Sequence, residues 1–100
     1  MSIAKTILEQ LGGNRFIAMT GARDLVAHAD GLSFRLPRGF AKNKCTHVRI
    51  KLTPADLYDV TFQAYNARKL ILREISTHDG IYADSLRELF TAETGLDCTL

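Results

Sequence analysis

Cys45 and His47 stand two residues apart, with Lys44 and Arg49 on either side. On an extended strand such a pair shares a face, and neighbouring cations lower a thiol's pKa, which is what a nucleophilic cysteine needs. No third residue that would orient the histidine is identifiable, and a Cys-x-His pair alone does not transfer between families as a signature. A metal site needs three or four ligands; Cys45, His47, His28 and His78 are scattered, with no Cys-x-x-Cys or His-x-x-x-His pairing. His28-Ala29-Asp30 and His78-Asp79 read as turns, where His and Asp satisfy local hydrogen bonds. Gly12-Gly13 and Gly21 lack the following Lys-Ser/Thr and the preceding strand of a phosphate loop, and helix capping accounts for them. Asp84, Glu88 and Glu93 read as the solvated side of the last helix, since their spacing does not set two acids across a cleft. The expectation is a protein that is not an enzyme, holds no metal and uses no cofactor.

Charge sorting is the stronger signal. Between Leu32 and Thr53 the chain has six cations (Arg35, Arg38, Lys42, Lys44, Arg49, Lys51) and no acid. From Glu74 to Leu100 it has six acids (Glu74, Asp79, Asp84, Glu88, Glu93, Asp97) and one cation, Arg87. The net charge of +2 conceals these two poles. Thr46-His47-Val48-Arg49-Ile50-Lys51-Leu52-Thr53 alternates, so one face of a strand is apolar and the other carries His47, Arg49 and Lys51. If the strand through Phe34 lies beside it, Arg35 joins that surface, with Arg38, Lys42 and Lys44 at its rim. Five or six phosphate contacts there would give a log–log salt slope of about −5. A charged outer face is also what any half-buried antiparallel sheet carries for solubility. Single-strand binders interleave aromatics with cations so that bases can stack. Here the eight aromatics fall mostly at core parity, with Tyr65 the exception. Duplex readers present a basic recognition helix, and the last helix here is acidic.

The elements that would carry these residues follow from periodicity and breakers. Ser2 caps a first helix with Ile3, Ile7, Leu8 and Leu11 on one face, and Gly12-Gly13 ends it. Asn14 reads as the cap of a short second helix, Arg15 to Thr20, stopped by Gly21. Asp24–His28 and Leu32–Leu36 flank Ala29-Asp30-Gly31, a hairpin signal, and Pro37-Arg38-Gly39 breaks the second strand. Thr46–Thr53 is the clearest strand. Thr53-Pro54-Ala55-Asp56 is a turn or the start of a helix running to about Arg68; the alternation of Tyr58–Gln63 favours the turn. A further strand spans Arg68–Ser76, His78-Asp79-Gly80 is a turn, and a last helix covers about Ala83–Thr94 with Tyr82, Leu86, Leu89 and Phe90 inward. The predicted class is α+β: an antiparallel meander of about five strands with N- and C-terminal helices packed on one face.

One hundred residues with 46% hydrophobic and 24% charged side chains make one domain, 1–100, able to bury roughly 65% of its unfolded surface. There are no evident internal repeats, linkers or low-complexity tracts. Lys5, Glu9 and Gln10 interrupt the first apolar stretch, unlike a signal peptide, and no run approaches the ~18 apolar residues of a membrane span. Cys45 and Cys98 fit free thiols. The chain reads as soluble and cytoplasmic, with no membrane partner.

The stretch Ile7-Leu8-Glu9-Gln10-Leu11-Gly12-Gly13-Asn14-Arg15-Phe16-Ile17-Ala18-Met19-Thr20-Gly21-Ala22 resembles the opening of a family of short phage and prophage proteins. Leu52-Thr53-Pro54-Ala55-Asp56-Leu57-Tyr58-Asp59-Val60 and the region from Gly80-Ile81-Tyr82-Ala83-Asp84 through Phe90 to Thr94-Gly95-Leu96 resemble it too, so the likeness spans nearly the whole chain. That family has no assigned activity, so no functional residues carry over. The resemblance implies a mobile-element setting, where small proteins often bind host machinery, including nucleoprotein defence complexes such as CRISPR effectors. The expectation is a non-enzymatic interaction protein that engages an acidic host protein or nucleoprotein through Arg35, Arg38, Lys42, Lys44, His47, Arg49 and Lys51. Direct nucleic-acid binding is the second reading, and a small enzyme using Cys45 a distant third. Opposite poles on one molecule can also pair head to tail or in a two-fold dimer, and the sequence does not choose.

Overall fold

The computed structural model describes residues 3–37, 45–66 and 68–96. Two helices, α1 (Ile3–Leu11) and α2 (Asn14–Thr20), precede strands β1 (Arg23–His28), β2 (Gly31–Arg35), β3 (His47–Leu52), β4 (Tyr58–Asn66) and β5 (Ile71–Ile81). A short 3₁₀ turn, Ala83–Ser85, leads into α3 (Leu86–Thr94). The strands form one antiparallel sheet in the order β1-β2-β3-β4-β5, a meander, which is the expected α+β class. No helix among the described residues is long and apolar enough to cross a membrane.

Alternation decides which face of the sheet meets the helices. Leu32, Phe34, Val48, Ile50, Tyr58, Val60 and Phe62 are buried against Ala4, Ile7 and Leu11 of α1, Phe16 of α2, and Leu86 and Phe90 of α3. Phe16 is the hub, packing edge-on against Phe34 at 5.3 Å and Phe90 at 5.1 Å. Such aromatic contacts add to area burial and fix both helices on one strand. Tyr58 donates its hydroxyl to Gln10 Oε1 at 2.6 Å, tying the rim of β4 to α1.

The ends of α2 and α3 use one device twice. Phe16-Ile17-Ala18-Met19-Thr20-Gly21 and Phe90-Thr91-Ala92-Glu93-Thr94-Gly95 share the pattern Phe-x-Ala-x-Thr-Gly. In each, the buried threonine hydroxyl donates to the phenylalanine carbonyl at 2.7 Å and accepts the amide two residues on, at 3.2 Å. The threonine closes the helix and the phenylalanine anchors it. This short repeat corrects the expectation of no internal repeats.

Several sequence expectations need correction. Asn14 is the first residue of α2 rather than its cap; Gly13 precedes it, with no side-chain capping bond. The favoured reading of Thr53–Leu57 as a turn holds, closed by Thr53 N–H donating to the Leu57 carbonyl at 2.8 Å, and the alternative helix from Pro54 does not form. His78-Asp79-Gly80 is not a turn but lies inside β5, which runs on to Ile81. The chain accommodates it through a bulge: Tyr58 pairs with Ile81 and Val60 with His78, leaving Asp79 and Gly80 opposite Asp59, with Gly80 at φ 70°. A turn-forming triplet and a bulge ask for the same left-handed residue, which is why local composition misread it. Tyr82, expected inward, is 64% exposed, because the 3₁₀ turn replaces the first turn of the expected helix. Ser2 and Cys98 lie outside the described residues.

Gly31 marks the tightest approach. A Cβ placed there would sit 2.0 Å from the Ile50 carbonyl oxygen, so β2 and β3 pair closely only because this position has no side chain.

Candidate functional site

The register of the sheet builds the outer face. Arg35 pairs with His47 and His47 with Gln63; Ser33 pairs with Arg49 and Arg49 with Thr61; Gly31 and Asp59 flank Lys51. Arg35, His47, Arg49 and Lys51 therefore share one surface across β2 and β3, as alternation required. Arg38, Lys42 and Lys44, the expected rim, lie outside the described residues.

Neighbouring strands modify the charge of that face. Arg35 Nη1 is 3.2 Å from Asp24 Oδ2 of β1, and Lys51 Nζ is 3.8 Å from Asp30 Oδ2 in the β1–β2 turn. Both pairs are about half exposed, so each contributes only about 0–1 kcal/mol, yet each acid offsets part of the charge its cation presents. Asp59 stands opposite Lys51 as well. Arg49 is exposed and has no acid or hydrogen-bond partner among the described residues. It is the cation of this face most available to a partner.

His47 is held differently. Its Nδ1 lies 2.8 Å from the Thr46 hydroxyl, which also accepts the Tyr65 amide at 2.9 Å. Burial, and secondarily the Arg35 guanidinium, push the imidazole below the ordinary histidine range, so at neutral pH it brings no charge to the face. The Tyr65 ring sits edge-on to it at 6.1 Å and is 37% exposed. The face thus has an aromatic neighbour that β4 supplies.

A shallow, open hollow of about 380 Å³ lies on this surface, bordered by Asp24, His28, Ser33, Arg35, His47 and Arg49. His28 Nε2 and Ser33 Oγ are 2.8 Å apart at its edge. This hydrogen bond is local to the β1–β2 hairpin, as expected of a histidine beside its turn. No acid is bonded to the other nitrogen of His28 among the described residues, so the pair lacks the third member of a nucleophilic triad.

The Cys45–His47 pairing does not form a shared face. Cys45 precedes β3, and its side chain points into the core, 2% exposed, with Sγ 3.6 Å from the His47 carbonyl. Burial pushes the thiol up, away from the thiolate, despite the opposing effect of backbone hydrogen bonds. His78 is also elsewhere, on the inward side of β5, with Nε2 2.6 Å from Glu93 Oε1 of α3. Glu93 is therefore a partly buried partner of His78, not part of a solvated helix face. No group of three or more His, Cys, Asp or Glu among the described residues is placed to hold a metal ion.

Hairpin register and the meander brought Asp24, Asp30, Gln63 and Tyr65 to the face. The Asp-Gly turn signalled Asp30; nothing local signalled Asp24, which sits at φ 53° where β1 shifts register against β2. Comparison of the chain with protein-family models, curated proteins and solved structures finds no match.

Proposed function

We propose that this chain is a non-enzymatic binding module that engages an acidic partner, a protein or nucleoprotein surface, through the outer face of β2 and β3. Arg49 is the anchor of that contact. The observation that carries the reading is its exposed guanidinium, left without an acid partner in a face whose other described cations are paired. An incoming carboxylate or phosphate reaches Arg49 directly and competes with Asp24 and Asp30 for Arg35 and Lys51. Charged-group complementarity of this kind chiefly sets association rate and specificity. The resemblance to short phage and prophage proteins supplies the setting: a host protein or defence nucleoprotein met in the host cytoplasm.

The test is capture by the immobilised protein from nuclease-treated and untreated host extract. The Arg49→Glu/Lys51→Glu variant should lose the captured partner while its thermal midpoint falls by no more than about 4–8 °C, since exposed surface changes rarely move stability by more than about 0.5 kcal/mol each. Undiminished capture by that variant would assign the face to solvation alone.

Direct nucleic-acid binding is the second reading, and Tyr65 is the observation that favours it. An exposed ring beside the cationic strand is the stacking element that single-strand binding requires.

A further inference from the structure

We infer that the hollow on the outer face receives a phosphate monoester, and that the Asp24 carboxylate competes with that ligand from within the chain. The inference rests on the reading of this face as a binding surface and names the group it takes. That group is the doubly charged phosphate at the end of a small ligand or of a partner protein's phosphorylated side chain.

The donors converge because of register. Ser33 pairs with Arg49 and Arg35 with His47, so these four side chains form two neighbouring rungs on one face of β2 and β3. Gln63 extends the second rung onto β4. Side chains directly opposite have Cβ atoms about 5 Å apart, and diagonal neighbours remain within reach of long side chains. All five residues border the hollow of about 380 Å³. Arg49 brings a guanidinium with no acid partner among the described residues. With His28 donating Nε2–H to the Ser33 oxygen, the serine's own proton remains for a ligand. The Thr46 hydroxyl accepts the Tyr65 amide, which leaves its proton for His47 Nδ1. The neutral imidazole then carries its hydrogen on Nε2, as a further donor.

The number and charge of these donors select the ligand. One arginine fork satisfies the two coplanar oxygens of a carboxylate. Donors arriving from three strands suit the three terminal oxygens of a tetrahedral monoester instead. A monoester also carries about −1.5 to −2 charge at pH 7, enough to engage Arg49 and to draw Arg35 from Asp24. A phosphodiester, with one charge and two terminal oxygens, matches less well. Val26, 49% exposed, gives the rim an apolar surface for the carbon group that bears the phosphate. Asp24 is the one carboxylate bordering the hollow among the described residues, with Oδ2 3.2 Å from Arg35 Nη1. It holds the guanidinium that the ligand needs as its second cation. Its φ of 53° is uncommon outside glycine, but asparagine tolerates that region as aspartate does, so the charge can be removed with the backbone kept.

Amide NMR titrations at about pH 7.5 with phenyl phosphate, methyl phenyl phosphate and benzoate test this, because the three probes share a ring and differ in charge and oxygen number. Phenyl phosphate should bind at least about tenfold more tightly than the other two and shift the amides of Ser33, Arg35, His47 and Arg49. Arg49→Ala should weaken it about tenfold, and Ser33→Ala about threefold. Asp24→Asn should tighten it at least about threefold by freeing Arg35. Lys51→Ala removes a cation of the same face that does not border the hollow, and should change the affinity by less than about twofold. A phosphoserine peptide that binds more tightly than phenyl phosphate assigns the group to a partner's side chain; equal affinity assigns it to a small ligand. No binding of phenyl phosphate, equal binding of the diester or benzoate, a Lys51→Ala loss as large as that of Arg49→Ala, or no effect of Asp24→Asn each overturns the proposal. The capture test fails separately. Capture lost in Arg49→Glu/Lys51→Glu without phenyl phosphate binding keeps the acidic partner and rejects the monoester; undiminished capture with phenyl phosphate bound as stated does the reverse.

Discussion

His47 shows how a residue can belong to a basic face without adding to its charge. Its imidazole is pushed below the ordinary value of 6.5, mainly by burial and then by Arg35. Between the folded and unfolded values the unfolded chain binds more protons, so stability rises with pH in that window. The penalty is absent well above pH 6.5 and grows as pH falls below it. His47→Gln should therefore gain stability relative to wild type at pH 5 compared with pH 7.5, measured by urea unfolding; an equal difference at both pH values would contradict the burial argument. Cys45 makes the complementary point. Its spacing from His47 suggests a reactive pair, but a thiol buried with its pKa raised is packing, and the enzyme reading built on it loses its nucleophile.

At the scale of elements, the sheet is positioned by an aromatic joint more than by any one helix. Phe16, Phe34 and Phe90 come from α2, β2 and α3, with ring centroids 5.1–6.2 Å apart, and all three are essentially fully buried. Removing the central ring leaves a cavity that three elements would have to close together. Phe16→Ala should cost about 3–5 kcal/mol, read as a lowered urea midpoint with unchanged slope, whereas Leu70→Ala at the exposed hairpin tip should stay within about 0.5 kcal/mol. A small effect at Phe16 would mean that α2 is dispensable to the core. The repeated Phe-x-Ala-x-Thr-Gly endings of α2 and α3 deliver two of these rings, so one local solution to ending a helix also builds the centre of the domain.

Across the whole molecule, the two poles seen in the sequence are partly cross-connected by the fold. The β1–β2 hairpin folds Asp24 and Asp30 onto the basic face, and β4 adds Asp59 beside Lys51. The three described cations Arg35, Arg49 and Lys51 would by themselves give nucleic-acid binding a log–log salt slope of about −3, shallower than the value of about −5 expected from the full basic stretch. In fluorescence-anisotropy titrations Arg49→Ala should reduce the magnitude of the slope by about 0.9 against duplex DNA and about 0.7 against single-stranded DNA. Absence of binding at low salt would remove the second reading and leave the acidic-protein partner.

What the sequence by itself determined is what alternation and helical spacing encode locally: the meander, the buried face and the common orientation of Arg35, Arg49 and Lys51. Side-chain parity has a period of two on a strand, so once Val48 and Ile50 are apolar the cations between them have no other direction to take. It could not distinguish a turn from a bulge at His78-Asp79-Gly80, because both need the same backbone freedom, and it carried the parity of β3 too far back, to a Cys45 that lies before the strand begins. Only the tertiary structure decided which acids meet which cations. Asp24 and Arg35 are eleven residues apart and meet because the hairpin register, shifted at the start of β1, brings them together. The same holds for the pairing of His78 with Glu93 and the placement of Tyr65 beside His47. These contacts join different strands and helices, and register and packing set them.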